Sequence, residues 1–355
     1  MKRLILVINP GNLSTKIAIY DRDHCVFTES IKHTEADLAP FADIPSQREF
    51  RKDMILKTLK RRRTAVSRFE AVAARGGLLK PLASGTYAVN SGMVRDLIAA
   101  KAGQHAANLG AQIGYDIARM AGITCYIVDP VSVDESWPVA RYSGHCLFRR
   151  VMLTHALNMK AVARKFAKER RLDYRKTRLL VMHLGTGVSL SIHRWGRMID
   201  AINPREEGTF SMDRSGGLPV MQVARFVIEN RLEFSEFERM AFHNGGVYSY
   251  LGTLDFVKLR ELYLRKDRKA VGVVRAMAYQ IAKDAGALAT VVDGDVHAIL
   301  ITGGIAHNDF FVEMIRKRIA FIAPVFVYPG EDEMQALAEG VWRVLSHEET
   351  ARVYR

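Results

Sequence analysis

Residues Ile5–Asp21 read ILVINPGNLSTKIAIYD. Two apolar runs flank the turn Asn9-Pro10-Gly11-Asn12-Leu13-Ser14-Thr15-Lys16. A plain hairpin needs only Asn-Gly or its like. This turn instead gathers Asn, Gly, Ser, Thr and Lys, more hydrogen-bond donors than a turn needs for itself. Glycine lets backbone N–H groups approach a ligand without a Cβ in the way. Successive N–H groups in a turn make a concave anion site. The stretch is therefore read as strand, candidate phosphate-holding turn, strand.

The pattern restarts at Leu179–Ile192, LLVMHLGTGVSLSI, again an apolar run, a Gly-containing turn and an apolar run. Asn9 and His183 occupy matching places, each two residues before a turn glycine, Gly11 and Gly185. Side-chain identity between the segments is low, so the likeness is one of pattern. It predicts two similar domains, 1–176 and 177–355, each opening with a hairpin; the C-terminal helix is separately expected to complete the first. Between them, an apolar run ends in ARGGLLKP (Ala74–Pro81), Ala111–Ala121 is amphipathic, and Thr124–Val128 reads as a strand ending in Asp129-Pro130. A later strand, His297–Thr302, ends in Gly303-Gly304 and is expected to enter a helix. The last helix starts near Met334, with Leu337, Val341 and Leu345 on the same face. No long Pro- or Ser-rich linker separates the halves, so a cleft between closely packed domains is the expected place for a small molecule. Five glycine turns are candidate cradles: NPGNLSTK, RGGLLKP, HLGTG, RSGGLP (Arg214–Pro219) and TGGIAHN (Thr302–Asn308).

The chain has 355 residues, 48% hydrophobic and 25% charged, enough for two domains with buried cores. Met1-Lys2-Arg3 before LILVI resembles the start of a signal peptide, but the apolar run is too short and NPG interrupts it. No stretch is long enough to span a membrane. The cysteines, Cys25, Cys125 and Cys146, are three and scattered, which argues against a disulfide framework and for a reducing cytoplasm. The net charge of +14 is concentrated in Lys57–Arg63, Arg164–Arg178 and Lys258–Lys269. These basic runs mix with apolar residues at helical spacing; Met152, Ala156, Met159, Ala163 and Phe166 form one stripe. They are read as solvated helix faces, and no nucleic-acid-binding motif accompanies them.

Together INPGNLSTKIAIYD, ARGGLLKPLASGTYAVN, HAANLG (His105–Gly110), VDPVSVDE (Val128–Glu135), HLGTGVSL, EGTFSMDRSGGLP (Glu207–Pro219), LITGGIAHN and VYPGEDEMQALAEG (Val327–Gly340) resemble the acetate/butyrate kinase family. That family sits within the broader class of sugar kinases, Hsp70 and actin. RGGLLKP, RSGGLP and PGEDEM point to its butyrate-type branch. The resemblance runs almost end to end. It implies an α/β fold of two duplicated ribonuclease H-like domains, and reversible phosphoryl transfer between ATP and a short-chain or branched carboxylic acid, with Mg2+. A homo-oligomer, dimer or higher, is implied on the same ground. A kinase for another acid, such as acetate or propionate, and a non-catalytic nucleotide binder of the same fold are the alternatives.

Such a transfer needs alignment, a divalent metal and positive charge on the phosphoryl oxygens. The acceptor carboxylate is already ionised at neutral pH, so no general base is sought. By resemblance, Arg75 grips the acceptor in bidentate fashion, Arg214 helps hold the transferring group, and His183 and His105 donate to it. Asp129, ending a strand, would hold magnesium directly or through water. Asn9 stands where related kinases keep an aspartate and would orient phosphate or metal-bound water; it and one of Glu331, Asp332 and Glu333 complete the metal candidates. Capping of the last helix is the structural alternative for that acidic cluster. Gly11, Ser14, Thr15 and Lys16, then Gly185, Thr186 and Gly187, then Gly303 and Gly304, are the nucleotide-binding candidates. Asn12-Leu13 replaces a Ser-Thr pair usual in the family. Thr186 replaces a glycine and would crowd a phosphate if its position requires positive φ.

Overall fold

The computed structural model describes residues 4–355; the charged start Met1-Lys2-Arg3 lies outside them. The chain forms two compact units. One comprises the chain up to Val133, Ala156–Asn158 and Asp332–Arg355; the other comprises Asp134–His155 and Met159–Glu331.

The first unit is built on a seven-stranded sheet. Its strands are β1 (Leu4–Pro10), β2 (Ser14–Asp21), β3 (His24–Lys32), β4 (Phe69–Ala74), β5 (Thr86–Ala88), β6 (Thr124–Val128) and β12 (Arg352–Val353), in the order β12-β5-β6-β4-β1-β2-β3. β1, β2 and β3 are an antiparallel meander, and β4 and β6 add in parallel. β1 is buried along its whole length, as a strand covered on both faces must be. Helices Asn108–Ala121 and Glu333–Leu345 pack on β1, β4 and β6. Both approach through glycine. A Cβ on Gly114 would lie 2.7 Å from the Cys125 sulfur, and one on Gly340 would lie 2.5 Å from Val128 Cγ1.

The second unit has five strands: β7 (Arg178–Leu184), β8 (Val188–Arg194), β9 (Arg197–Ile202), β10 (Ala298–Gly303) and β11 (Val325–Pro329), ordered β11-β10-β7-β8-β9. Again three antiparallel strands form a meander, and two parallel strands extend it from the first. Each meander carries a register shift in its second hairpin, after Ile19 in one and after Ile192 in the other. The repeat expected from the two hairpins is thus a repeat of sheet order. Helix Arg268–Thr290 lies over β7–β9 with Met277, Ile281 and Leu288 buried.

The second unit's segments begin at Asp134, well before the domain start read near Lys176. The reason is local. Trp137 N–H donates to Ile199 O at 2.8 Å, and buried Lys160 reaches Gly196 O at 2.8 Å, so both segments are tied to the β8–β9 region. The charged runs behave as expected of solvated faces: Lys57 and Lys60–Arg63 are exposed. The stripe Met152, Ala156, Met159, Ala163 and Phe166 is buried throughout.

Candidate functional site

In the first unit, β1 pairs with β2 so that Asn9 faces Lys16 and Pro10 faces Thr15, leaving Gly11–Leu13 as the turn. Asn9 is buried, and its Nδ2 donates to Glu333 Oε2 at 2.8 Å. Arg75 leaves the end of β4, its N–H donating to Ile8 O at 2.9 Å, and its guanidinium pairs with Glu333 Oε1. Asn9 and Arg75 therefore share one carboxylate. Of the acidic cluster, Glu333 is the member that joins these two candidates. Asp332 stands at the N-cap position of the last helix but makes no side-chain capping bond, so capping does not account for it.

Asp129 follows β6 and is buried, with φ at +38°, a left-handed conformation costly for a residue with a Cβ. Its Oδ1 accepts from Ser84 Oγ at 2.5 Å and from the Gly85 N–H at 2.8 Å. His105 lies exposed before helix Asn108–Ala121, with Nδ1 accepting from the Ala107 N–H at 3.1 Å. The RGGLLKP glycines are packing positions. A Cβ on Gly77 would lie 2.3 Å from Asn108 Oδ1, and one on Gly76 would lie 2.5 Å from Pro130 Cβ.

The first turn is braced by a residue not singled out in the sequence. Arg51, on helix Arg48–Arg61, is almost fully buried. Its Nη1 donates to Gly11 O at 2.7 Å, Ser14 O at 3.2 Å and Thr15 Oγ1 at 3.2 Å. Its Nη2 donates to Asn12 O at 2.8 Å and to Gln47 Oε1 at 2.8 Å, and Nε donates to the same Gln47 oxygen at 3.1 Å. Burial pushes its pKa down to about 10, which leaves it charged at neutral pH. Thr15 is likewise committed inward, 2.9 Å from His33 Nε2. Burial, followed by the Arg51 charge, holds the His33 imidazole below its ordinary pKa. The readable signal was spacing: Arg51 sits on the stripe of Ile55, Thr58 and Leu59, the buried face of its helix. Lys16 points the other way and is exposed.

In the second unit, β7 and β8 enclose the turn Gly185–Gly187, closed by Gly185 N–H on Gly187 O at 3.0 Å. His183 is buried at the end of β7, with Nε2 3.2 Å from Glu331 Oε1. Its ring stacks on His155 with centroids 3.9 Å apart and planes 13° from parallel; His155 Nδ1 lies 2.9 Å from Ser189 Oγ. His155 was not read from the sequence, where a lone His in MLTHALN gives no pattern. Arg214 lies against the turn: a Cβ on Gly187 would stand 2.6 Å from Arg214 Nη1. Burial lowers the Arg214 pKa, the adjacent Asp213 opposes that, and burial raises the pKa of Asp213 itself. Thr186 is exposed and does not have positive φ, so the condition for crowding a phosphate is not met.

The RSGGLP glycines close the loop that carries Arg214. Gly216 has φ +64°, and Gly217 N–H donates to Gly208 O at 3.0 Å. Asp284, on the long helix, accepts from the Thr209 N–H at 2.8 Å, and burial pushes its carboxyl up to about 6. Beyond β10, Gly303 has φ +94° and passes so close to β7 that a Cβ would lie 2.3 Å from Leu184 O, whereas Gly304 faces open space. The chain then makes a short 3-10 turn and helix Asp309–Ile319.

The profile of the acetokinase family matches residues 136–350. The chain belongs to the acetokinase family. Two curated relatives resemble this family member over almost their whole lengths. Butyrate kinase 2 of Clostridium acetobutylicum is 44% identical over 356 residues, covering 100% of both chains. Butyrate kinase 1 of the same organism is 45% identical over 352 residues, covering 99% of both. Among solved structures, the acetate kinase of Porphyromonas gingivalis shares the acetokinase fold, with a TM-score of 0.78 at 18% identity, covering 97% of this chain and 100% of that one. Among the described residues of this acetokinase no group of three or more His, Cys, Asp or Glu side chains forms a metal cage. Magnesium in phosphoryl-transfer sites asks for less: one or two carboxylates, waters and the substrate's own phosphates. Asp129 and Glu333 are carboxylates of that kind, although Asp129 Oδ1 already accepts from Ser84 and Gly85, and the two Glu333 oxygens meet Asn9 and Arg75.

Proposed function

We propose that this acetokinase is a butyrate-type carboxylate kinase, converting a short or branched fatty acid and ATP into an acyl phosphate and ADP. The observation that carries this reading is the end-to-end identity of 44–45% with two butyrate kinases. Arg75, at the end of β4, is the acceptor-binding candidate; its guanidinium pairs with Glu333, a contact that the acceptor would share or displace.

In the proposed reaction an acceptor carboxylate oxygen attacks the γ-phosphorus in line. The bond from that phosphorus to the β,γ-bridging oxygen breaks, and its electron pair leaves with ADP. Arg75 holds and orients the acceptor. His183 and Arg214 place donors and positive charge on the transferring phosphoryl group. The Gly11–Leu13 and Gly185–Gly187 turns offer backbone N–H groups to phosphate oxygens, with Ser14 and Lys16 following the first; Thr15, buried against His33 and Arg51, holds the turn rather than a ligand. Gly303 and Gly304 let the chain pass close to the nucleotide, and His105 adds a donor. Asp129 or Glu333 would hold Mg2+, with Asn9 orienting its water or a phosphate; the ion would offset charge on the phosphates.

The working form is proposed to be a cytoplasmic homo-oligomer. None of helix Val220–Glu229 is buried, and Val220, Met221, Phe226 and Ile228 are exposed on it. Such a face is a candidate contact with a second copy.

A hydroxamate assay tests the activity directly: hydroxylamine traps an acyl phosphate as it forms. MgATP is supplied with acids from acetate to valerate, including isobutyrate. Product with four-carbon acids, lost in Arg75→Ala, supports the reading. Product with acetate or propionate alone would make it a kinase for another acid, and no product with any acid would favour a non-catalytic nucleotide binder.

A further inference from the structure

The first turn is held in an unusual way. Arg51 gathers the carbonyl oxygens of Gly11, Asn12 and Ser14, and the Leu13 carbonyl is taken by the His33 N–H at 2.9 Å. Among the described residues no peptide bond is cis. In a trans peptide the C=O of one residue and the N–H of the next point in opposite directions. Drawing the Gly11 and Asn12 carbonyls inward therefore turns the Asn12 and Leu13 N–H groups outward, and both residues are exposed.

A short hairpin does not need a buried cation to close it; Gly11 N–H already donates to Ser14 O at 2.7 Å. The six hydrogen bonds of Arg51 run to carbonyl, amide and hydroxyl oxygens, none of them a carboxylate. A buried guanidinium without a counter-anion is costly to desolvate. That cost is explained if the cation does two things: it fixes the peptide planes, and it adds positive potential behind two N–H groups that face an anion.

We infer that Arg51 is a positioning residue for a two-donor anion cradle formed by the Asn12 and Leu13 N–H groups, the anion being a terminal phosphate of the nucleotide. The inference rests on reading this turn as phosphate-holding. The cradle uses backbone donors, so it survives the loss of the side-chain hydroxyls that Asn12-Leu13 entails. Arg51 itself touches only protein.

The test uses the full-length protein and the variants Arg51→Gln, Arg51→Lys and Gln47→Met, with folding checked by thermal melts. Both kcat and the separate KM values for MgATP and butyrate are measured. In Arg51→Gln kcat is expected to fall about 100-fold, the scale for losing preorganised backbone donors, with the butyrate KM within about twofold. Arg51→Lys keeps the charge but loses the planar fork, so a partial rescue is expected. Gln47→Met, which removes the acceptor of two Arg51 bonds, is expected to show a smaller fall in the same parameter. A folded Arg51→Gln with kcat within about threefold of wild type, or one in which only the butyrate KM moves, overturns the inference. If neither Arg51 variant folds, Gln47→Met decides, and an unchanged kcat there overturns it.

Should the wild-type protein make no acyl phosphate, the carboxylate-kinase reading fails while the cradle is still tested by calorimetric titration with a non-hydrolysable MgATP analogue, which keeps the terminal phosphate. Affinity weakened about tenfold in Arg51→Gln supports the cradle, about 1.4 kcal/mol. Unchanged affinity overturns it, and a wild-type protein that binds no MgATP analogue overturns both.

Discussion

The two hairpin turns look alike in the sequence and are built differently. Each joins two strands of a meander through three residues, Gly11–Leu13 in one unit and Gly185–Gly187 in the other. In the first, Gly11 N–H closes on Ser14 O; in the second, Gly185 N–H closes one residue sooner, on Gly187 O. The first turn has its arginine behind it, buried and spent on carbonyls. The second has Arg214 lying against Gly187, half-buried, beside Asp213. One hairpin is held by a cation bound to its carbonyls; the other has a cation beside its glycine, paired loosely with Asp213. A repeated backbone pattern fixes where an anion site can form, and the side chains decide how each copy works.

The largest expected effect on that comparison is at Arg214. Arg214→Ala should lower kcat about 1,000-fold in the hydroxamate assay, because a cation on the transferring group acts mainly in the transition state. A fall of less than about tenfold would mean that the second turn's arginine is structural after all, like the first's. Next comes Gly187→Ala. Its Cβ would meet Arg214 Nη1 at 2.6 Å, the end of a flexible side chain, and the residue does not have positive φ. The guanidinium should swing aside, cutting kcat about tenfold or more while the melting temperature holds; equal losses of activity and stability would count against it.

A third measurement concerns the braces behind the turns. Asp284 accepts the Thr209 N–H in the loop region closed by Gly216 and Gly217, as Arg51 donates to the first turn. Its folded pKa is raised to about 6, so the folded state binds this proton more tightly than the unfolded chain does. Stability from this group is therefore present below its unfolded value near 3.8 and is lost as pH rises towards about 6. Asp284→Asn keeps an acceptor and removes the titration. Melting temperatures at pH 5 and pH 7.5 should shift in favour of the variant at the higher pH, and a gap that does not change with pH would refute the assignment.

The smallest effects are expected at Gly11 and Thr186. A Cβ on Gly11 meets nothing closer than Ser14 O at 3.7 Å, and Thr186 is exposed without positive φ. Gly11→Ala and Thr186→Gly should each leave kcat within about threefold; a large loss at Gly11 would show that the ligand approaches its Cα closely.

The elements legible in the sequence were those with strong local periodicity. β1, β6 and β7 are continuous apolar runs bounded by turn residues, and Thr124–Val128 emerged with the bounds expected. What could not be read was side-chain commitment across long separations. Nothing near residue 51 says that its guanidinium reaches Gly11 and Asn12, and helix Arg48–Arg61 looks like a basic surface helix because its other charges are. The acidic triplet was ambiguous for the same reason: only the fold shows Glu331 meeting His183 while Glu333 meets Asn9 and Arg75. Glycines misled in the other direction. Those of RGGLLKP resemble a ligand loop, but close packing against Asn108 and Pro130 already requires them.

The discontinuity of the first unit has a consequence for biosynthesis. Its last helix and β12 come from Asp332–Arg355, whereas the second unit ends at Glu331. A ribosome adds about 5–20 residues per second and exposes domains in order, so the N-terminal one normally folds first. Here that order is reversed. Every residue of the second unit is made before the first unit has its final helix, and β1, β4 and β6 must wait for the apolar face of Ala336, Leu337 and Val341 to emerge. During that interval helix Asn108–Ala121 already packs on these strands, while the surface that the last helix covers stays exposed, and apolar surface exposed in this way is prone to aggregation.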